Sequence, residues 1–330
     1  MSGYPAILEA IYRSERTDQL WAQGIAAAAA PVFGERGVIV NTYDLDGDNF
    51  PLFSNFAEAG TGGWAAPLAA EVHTKLPRER MQQALAPWPP ALLLSECFGP
   101  EVVAAGSGEP GMDVFHEHGI FDMIGMRGTD PSGHGCTMSV LLERTKPLEP
   151  RRRDNLARLA AHLAAGWRLR RTLARREQGA SPEAADAVLR PNGKLEHCSP
   201  SLTDRRAQLV LSDVVLRRER IWSAPSDAET TLELWKALIS GRWSIVDHVE
   251  NDGKRFVLAR RNQPDVKEPA ALTRRERQVA AYAALGHSNK LIAYELGLSS
   301  TTIATHLARA LGKLGLDSRR ELVQVLAPVG

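Results

Sequence analysis

Six polar side chains near the C-terminus recur at a spacing that places them along one side of a helix. We predict this helix over residues 300–314. Ile303, Leu307 and Leu311, at intervals of four residues, form its apolar stripe. The hydroxyl, imidazole, guanidinium and ammonium groups on the other side can donate hydrogen bonds to base edges and phosphates. The pattern therefore predicts a surface that lies in a nucleic-acid groove, with the candidate contacts Thr301, Thr302, Thr305, His306, Arg309 and Lys313.

Other residues that could support catalysis or metal binding are spaced unfavourably. His116, His118 and His134 lack the carboxylates or cysteines of a known metal pattern. Glycines at 106, 108 and 111 satisfy GxGxxG, but no βαβ unit surrounds them. No serine lies in a GxSxG turn. We therefore expect neither an enzyme, nor a cofactor, nor a bound metal.

Four helices are predicted to hold the polar side in place. Thr273 and Glu276 have the spacing of a capping box at the start of the first helix, and Gly286 ends that helix. The second helix follows Ser288 and ends before Gly297, which supplies a sharp turn. The third helix is the one over 300–314, and the fourth begins after a cap at position 317 or 318.

From Leu272 to Leu326 the chain resembles the LuxR-type helix-turn-helix family, also called the LuxR/FixJ type. It keeps nearly every element of four family patterns, LTxRExxV, GxSNKxIA, LxxSxxTVxxHL and KLGxxSRxEL. The resemblance implies a domain that binds double-stranded DNA with its third helix in the major groove. Among the candidate contacts, Lys290, Lys313 and Arg319 are then better placed for phosphates, and Thr301, Thr305 and Arg309 for bases.

The chain departs from the family at two positions of the third helix. Family members commonly carry basic residues where this chain has Ala304 and Ala308. Each good base contact contributes about 1–3 kcal/mol of discrimination. We therefore expect a modest affinity for DNA, or one that depends on dimerisation. The alternative is an antagonist that keeps the fold, binds DNA weakly and acts by binding another protein.

Charge and composition agree with a DNA-binding protein made of several domains. Residues 270–330 hold eight Lys or Arg and four Asp or Glu, a net charge of +4, whereas the whole chain carries +1. A length of 330 residues with 44% hydrophobic residues suits two or three domains. No run of about 18 apolar residues and no signal peptide is recognisable, and Cys97, Cys136 and Cys198 form no CxxC pair. We expect a cytoplasmic protein with reduced thiols and no membrane association.

Residues 1–178 are predicted to form a first domain. Its expected elements are helices over 7–30, 63–86 and 112–119, a hairpin over 38–56, two strands within 119–145, and a long arginine-rich helix over 151–178. This order resembles GAF-like sensor domains that precede LuxR-type modules. We interpret the long helix as a dimer-forming signalling helix, with a nucleic-acid surface as the alternative. A small apolar ligand is a candidate partner, and the residues that could line its pocket, or form ordinary core, are Trp64, Trp88, Phe98, Phe115, Phe121 and Met123.

A smaller block is predicted over residues 184–263, after a polar linker. Asn192-Gly193 and Asp252-Gly253 each have the pattern of a tight hairpin turn. Two hairpins enclosing helices resemble a PAS-like domain, with a plain linker subdomain as the alternative. We therefore expect an α+β multidomain protein: a GAF-like α/β sensor, a smaller PAS-like α/β block, and an all-α four-helix helix-turn-helix domain over 270–328.

The function expected from the sequence is a one-component transcriptional regulator. A sensor-like N-terminal region would alter the dimerisation or exposure of the C-terminal domain. The first block lacks the early acidic pair and the following strand-borne aspartate of a phosphoacceptor domain, so we do not expect activation by phosphorelay. Symmetric oligomers are common, and DNA half-sites come in pairs. The expected partners are therefore double-stranded DNA and a second copy of the chain, with RNA polymerase as a further candidate.

Overall fold

In a computed structural model the chain folds into a mixed α/β body followed by four helices. The structure describes residues 3–326 except 14, 35, 46–49, 76, 78–88, 101–102, 104–111, 175–184, 201, 203, 224–226, 241–242, 250–253, 265 and 267–268. The helices found there are α1 (Tyr4–Tyr12), α2 (Asp18–Phe33), α3 (Ala65–Lys75), α4 (Leu94–Phe98), α5 (Met112–Glu117), α6 (Pro150–Ala174), α7 (Arg205–Ser223), α8 (Ala228–Ser240), α9 (Arg274–Ala284), α10 (Asn289–Leu296), α11 (Ser300–Leu314) and α12 (Arg319–Leu326). The strands are β1 (Val38–Leu45), β2 (Pro51–Ala59), β3 (Ala91–Leu93), β4 (Asp122–Thr129), β5 (Gly135–Leu142), β6 (Ala187–Leu189), β7 (Leu195–Cys198), β8 (Trp243–Val249) and β9 (Arg255–Arg261).

The first sheet has the strand order β2-β1-β5-β4-β3, and its neighbours are antiparallel. Alternation along β1 turns Val38 and Val40 toward a core that also contains α1, α2 and α6, while Ile39 belongs to a second cluster that includes Ala65 and Ala69 of α3. The predicted hairpin over 38–56 and the predicted strand pair within 119–145 are confirmed.

The predicted helix over 7–30 is wrong in one respect, because it is two helices. The polar segment after Tyr12 interrupts it, and Thr17 caps α2 by accepting a hydrogen bond from the backbone N–H of Leu20 at 3.2 Å. The predicted helix over 63–86 is helical from Ala65 to Lys75, and its remainder lies largely outside the described residues.

The long helix α6 runs through the middle of the body. Residues 159–167 are buried on every side of the helix. Gly128 and Gly166 permit this close packing, because a Cβ at either position would lie within 2.5 Å of an atom of α6 or α1. The arginines on its flanks pair with acids of the body, for example Arg170 with Asp18 at 2.8 Å. Residues 159–167 therefore have no face available to a second copy of the chain, whereas Arg151 and Asp154 in the first turns are exposed. The interpretation of the helix as dimer-forming stays a prediction that only such exposed parts could satisfy.

The second block contributes a sheet of order β7-β6-β9-β8 with α7 and α8 packed beside it. Asn192-Gly193 forms the predicted turn between β6 and β7, with φ of 78° at Gly193 and the Lys194 N–H donating to the Asn192 side chain at 3.1 Å. The predicted pairing of β8 with β9 is also confirmed, and its turn at Asp252-Gly253 lies outside the described residues. One hydrophobic core continues from the first block into the second, so the two form a single body.

The helices α9 to α12 have a hydrophobic core of their own. It is built from residues of all four helices and is separate from the core of the body. Capping fixes the helix ends: the Thr273–Glu276 capping box begins α9, Ser288 and Ser299 cap α10 and α11, and Gly297 ends α10 in the left-handed conformation. All four predicted helices of this region are confirmed. Within the described residues we find no helix with the length and apolar character needed to cross a membrane.

Candidate nucleic-acid interface

The helix α11 has a buried side and an exposed side. Ile303, Leu307 and Ala310 lie in the core formed with α9, α10 and α12. At the N-terminus, the Ser299 hydroxyl accepts a hydrogen bond from the Thr302 N–H at 3.0 Å. Apolar burial therefore fixes the rotation of α11 about its axis, and the cap fixes where the helix begins. Together they determine which side chains reach solvent.

The six predicted contacts on α11 are not equally accessible. Thr301, Thr305 and Arg309 are fully on the exposed side, whereas Thr302 and His306 are half-buried at its margin. The Thr302 hydroxyl lies 2.8 Å from the Ser299 hydroxyl and belongs to the helix cap. The three residues that the resemblance favoured for base contacts are thus exposed.

The sixth predicted contact, Lys313, is held by the first helix of the domain. Its ammonium donates to a carboxylate oxygen of Glu276 at 2.7 Å, and the same carboxylate accepts from the Thr273 N–H in the capping box at 2.8 Å. The hydrogen bond from Lys313 is the main reason that the pKa of Glu276 falls to about 2. Lys313 therefore links α11 to α9, which sequence reasoning did not foresee.

Arg319, predicted to contact phosphate, also turns inward. Its guanidinium donates to the backbone carbonyl of His287, and it lies 3.3 Å from the Asn289 side chain. Burial lowers the pKa of Arg319. In this arrangement Arg319 ties α12 to the turn between α9 and α10.

Lys290 in the first turn of α10 pairs with the body. Its ammonium donates to a carboxylate oxygen of Asp154, in α6, at 2.5 Å. Both side chains are more than half exposed, so the pair is a surface ion pair that contributes about 0–1 kcal/mol. The position of this ion pair matters more than its strength, because Asp154 binds the ammonium group that is expected to contact a DNA phosphate.

A buried hydrogen-bond chain lies beside this ion pair. The Tyr294 hydroxyl of α10 donates to the Leu232 carbonyl at 2.9 Å, so its oxygen must accept a hydrogen bond from the Nε2–H of His162, also at 2.9 Å. The other nitrogen, Nδ1, then accepts from the Tyr12 hydroxyl at 2.9 Å. Burial lowers the pKa of His162 to about 3, which keeps the ring neutral as this chain requires.

We call this contact between α6 and α10 the joint. It consists of Asp154, Ala161 and His162 on α6, and Lys290, Leu291 and Tyr294 on α10. Ala161, Leu291 and Tyr294 form a small apolar cluster there. A cleft of about 220 Å³ opens at its edge, lined by residues of both sides, among them Arg153, Arg158 and Ser288. The joint could not be predicted from local sequence patterns, because its partners lie more than a hundred residues apart.

In the body, four of the six predicted pocket residues meet in one cluster. Trp64, Phe98, Phe115 and Met123 pack on the side of the first sheet that faces α3. Phe121 is 41% exposed and lies outside that cluster, and Trp88 is not among the described residues. These four residues could line a ligand pocket or form ordinary core.

The histidines and cysteines do not assemble into a site. His118 stacks on Trp64, His116 lies against Phe121, and His134 lies 2.8 Å from Asp44. Among the described residues no group of three or more His, Cys, Asp or Glu is arranged to hold a metal ion. Cys136 lies in β5, and burial there raises the pKa of its thiol, so the reactive thiolate is disfavoured.

Comparison with known proteins identifies the C-terminal region. Residues 270–326 match the GerE family, described as bacterial regulatory proteins of the luxR family. The HTH-type transcriptional regulator MalT of Vibrio campbellii is 33% identical over 91 residues, which are 28% of this chain and 10% of that protein. The chain thus spans about a tenth of the length of this relative.

A solved structure gives only a weak likeness. SdiA of Escherichia coli aligns over 94% of this chain and 87% of that chain, with 11% sequence identity and a TM-score of 0.25, too low to establish a shared fold. The family match and the named relative support a regulatory protein and not an enzyme. The four C-terminal helices are a LuxR-type helix-turn-helix domain, as the resemblance predicted.

Proposed function

We propose that this chain is a transcriptional regulator that binds double-stranded DNA through α11. The observation that carries the proposal is a LuxR-type helix-turn-helix domain whose own core orients α11, so that Thr301, Thr305 and Arg309 face solvent. A helix presented in this way fits the major groove, where its polar groups can reach base edges. The net charge of +4 on residues 270–330 attracts the phosphate backbone.

The helix α10 is suited to the DNA backbone. The first helix of a helix-turn-helix crosses the phosphates, and the free N–H groups at a helix N-terminus attract anions. Lys290 lies in the first turn of α10 and would meet a phosphate there. Because its ammonium is paired with Asp154 in the joint, the same cation serves the body in one arrangement and DNA in another.

We propose that the body regulates DNA binding through the joint. While α10 is docked, the Asp154 carboxylate occupies the place that a phosphate would take beside Lys290. The Tyr12–His162–Tyr294 chain stabilises this docked state. Release of α10 would free its N-terminus for DNA, so the docked state binds DNA weakly and the released state binds it well.

The first sheet supports a sensor role for the body. Its order, β2-β1-β5-β4-β3, agrees with the GAF-like domain proposed for residues 1–178, and the second sheet agrees with a PAS-like block over 184–263. The aromatic cluster around Trp64 and Phe115 is the proposed site of a small ligand. Such a ligand would change DNA binding only through different affinities for the docked and released arrangements.

We propose a homodimer on DNA, because paired half-sites suit a two-fold symmetric protein. In α12, Val325 is 59% exposed and is a candidate for the contact between copies. RNA polymerase remains a candidate partner of the DNA-bound form.

An antagonist that binds another protein is the second candidate function. Three of the predicted cations, Lys290, Lys313 and Arg319, already have partners within the chain. Since Ala304 and Ala308 add no charge, this observation favours weak DNA binding.

Selection of fragmented genomic DNA by the purified full-length protein tests the proposal. We expect recovery of a two-fold symmetric motif. The substitution Arg309→Ala should weaken binding to it by roughly 1–3 kcal/mol, the value of one good base contact. The matched control is Arg217→Ala, which removes an exposed arginine of α7 in the body and should leave binding unchanged.

The isolated segment 270–330 separates the two candidate functions. Its own core should let it fold without the body. Binding by the segment but not by the full chain would mean that the body inhibits it. If neither selects any sequence, the DNA-binding proposal is wrong and the antagonist is favoured. Phosphate contacts should also give a log-log salt dependence of about −0.9 per phosphate neutralised.

A further inference from the structure

The exposed side of α11 carries methyl groups where a DNA-reading helix more often carries charge. Positions 301, 304, 305, 308, 309 and 312 share one face of the helix, because the last five lie three, four, seven, eight and eleven residues after position 301. All six are exposed. Ala304 and Ala308 present methyl groups, and Gly312 has open space around it.

The side chain of Thr305 adds a third methyl group. Its hydroxyl donates to the backbone carbonyl of Thr301, one turn earlier, at 3.1 Å. A hydroxyl committed to the helix backbone has little left to offer a base edge as a donor. The methyl group of Thr305 is then the part of the side chain available to a partner.

Little positive charge accompanies these methyl groups. Lys313 is held by Glu276, and Lys290 lies on another helix. Within the described part of the chain, Arg309 is the one cation on this face. A guanidinium can bind the O6 and N7 atoms of guanine, and the groups that discriminate thymine by apolar contact are methyl groups of alanine and threonine.

We infer that the chain reads the 5-methyl groups of thymine. In each half-site at least two adjacent thymines should lie against Ala304, Thr305 and Ala308, with a guanine within reach of Arg309. The length of this part of the helix agrees with contact to two adjacent thymines. Residues 304 to 308 cover about 6 Å at 1.5 Å per residue, which is close to two base-pair steps. This inference rests on the proposed DNA binding and specifies its target.

Replacement of thymine by deoxyuridine tests the inference, because it removes the methyl group and preserves base pairing. The selected site is synthesised with deoxyuridine at the thymines of each half-site, and binding to the full-length protein and to residues 270–330 is measured by fluorescence anisotropy. Burial of one methyl group corresponds to about a fourfold loss of affinity per thymine. Deoxyuridine outside the half-sites is the control and should have no effect.

Two variants at one position separate the methyl group from the hydroxyl. Thr305→Ser keeps the hydroxyl and removes the methyl group, so it should weaken binding and abolish the effect of deoxyuridine at the contacted base. Thr305→Val keeps a methyl group and removes the hydroxyl, so it should retain both affinity and the deoxyuridine effect. The opposite result, with serine tolerated and valine not, would overturn the inference, since the hydroxyl would then be the reading group.

The outcomes also distinguish failure of this inference from failure of the proposed DNA binding on which it rests. Failure of both protein forms to enrich any sequence would overturn the DNA-binding proposal and the inference together. A selected motif without thymines in the half-sites, or one that tolerates deoxyuridine there, would overturn the inference alone.

Discussion

Replacement of Tyr294 by phenylalanine should release the helix-turn-helix domain from the body. The ring would still fill its place between α6 and α10, but its hydroxyl would be gone. In the docked arrangement the Nε2–H of His162 and the carbonyl of Leu232 would then lack their partner. In the released arrangement water can satisfy both groups, so the change penalises docking specifically.

The magnitude follows from the cost of a buried polar group left without a partner, about 1–3 kcal/mol. A difference of 1.4 kcal/mol is a factor of ten, so docking should weaken by about 5- to 150-fold. If only the released form binds DNA, the apparent affinity should rise by the same factor until release is complete. Fluorescence anisotropy with the selected DNA measures this, and hydrogen exchange of residues 289–296 measures release directly.

Two controls isolate the joint. Tyr43→Phe removes a buried hydroxyl of the first sheet that lies 2.6 Å from Thr129 and is not part of the joint. It should lower stability without changing DNA affinity. Tyr294→Phe in the isolated segment 270–330 should be neutral, because Tyr294 has no body to dock against there. If the full-length Tyr294→Phe variant binds DNA no better than the Tyr43→Phe variant, the joint does not oppose DNA binding and the reasoning is refuted.

Three smaller perturbations test neighbouring features. Asp154→Asn should raise DNA affinity by up to about fivefold, the range of a surface ion pair, whereas Glu229→Gln, which breaks an exposed pair elsewhere on α6, should not; anisotropy checks both. In the docked arrangement His162 is a neutral ring, because burial lowers its pKa to about 3. In the released arrangement its pKa returns to about 6.5, so protonation of His162 favours release only below that pH. Hydrogen exchange of α10 at pH 5.5, corrected for the intrinsic exchange rate, should therefore show about tenfold more released protein than expected if His162 stayed neutral. Thr273→Ala removes the cap of α9 and should destabilise the C-terminal domain by about 1 kcal/mol in urea unfolding.

The C-terminal domain could be predicted closely because its determinants are local. Caps such as Thr273 and Ser299 act within three residues, and Gly297 needs only the backbone conformation of its own position. The exposure of Thr301, Thr305 and Arg309 follows from the spacing of apolar residues on the same helix. Such signals are present in any window of about fifteen residues, so sequence reasoning recovers them.

The role of α6 could not be predicted in this way. Its many arginines favoured a helix that faces a second copy of the chain or a nucleic acid, whereas Arg168 and Arg170 pair with Asp130 and Asp18 from distant parts of the chain. A helix surrounded by partners on all sides shows no clear amphipathic pattern. For the same reason His162 gave no signal, since its two tyrosine partners come from the first helix and from the DNA-binding domain.

The packing of α10 on both sides makes regulation energetically reasonable. Ile292 and Leu296 belong to the core of the domain, whereas Leu291 and Tyr294 belong to the joint. The domain therefore keeps its own core when it is released, and release costs the burial of Leu291 and Tyr294, the hydrogen bonds of Tyr294 and the contact between Arg168 and Tyr282. A cost of a few kcal/mol is within the range that a bound ligand can offset by its preference for one arrangement. The same sequence can thus hold a complete DNA-binding domain in a weakly binding state without unfolding any part of it.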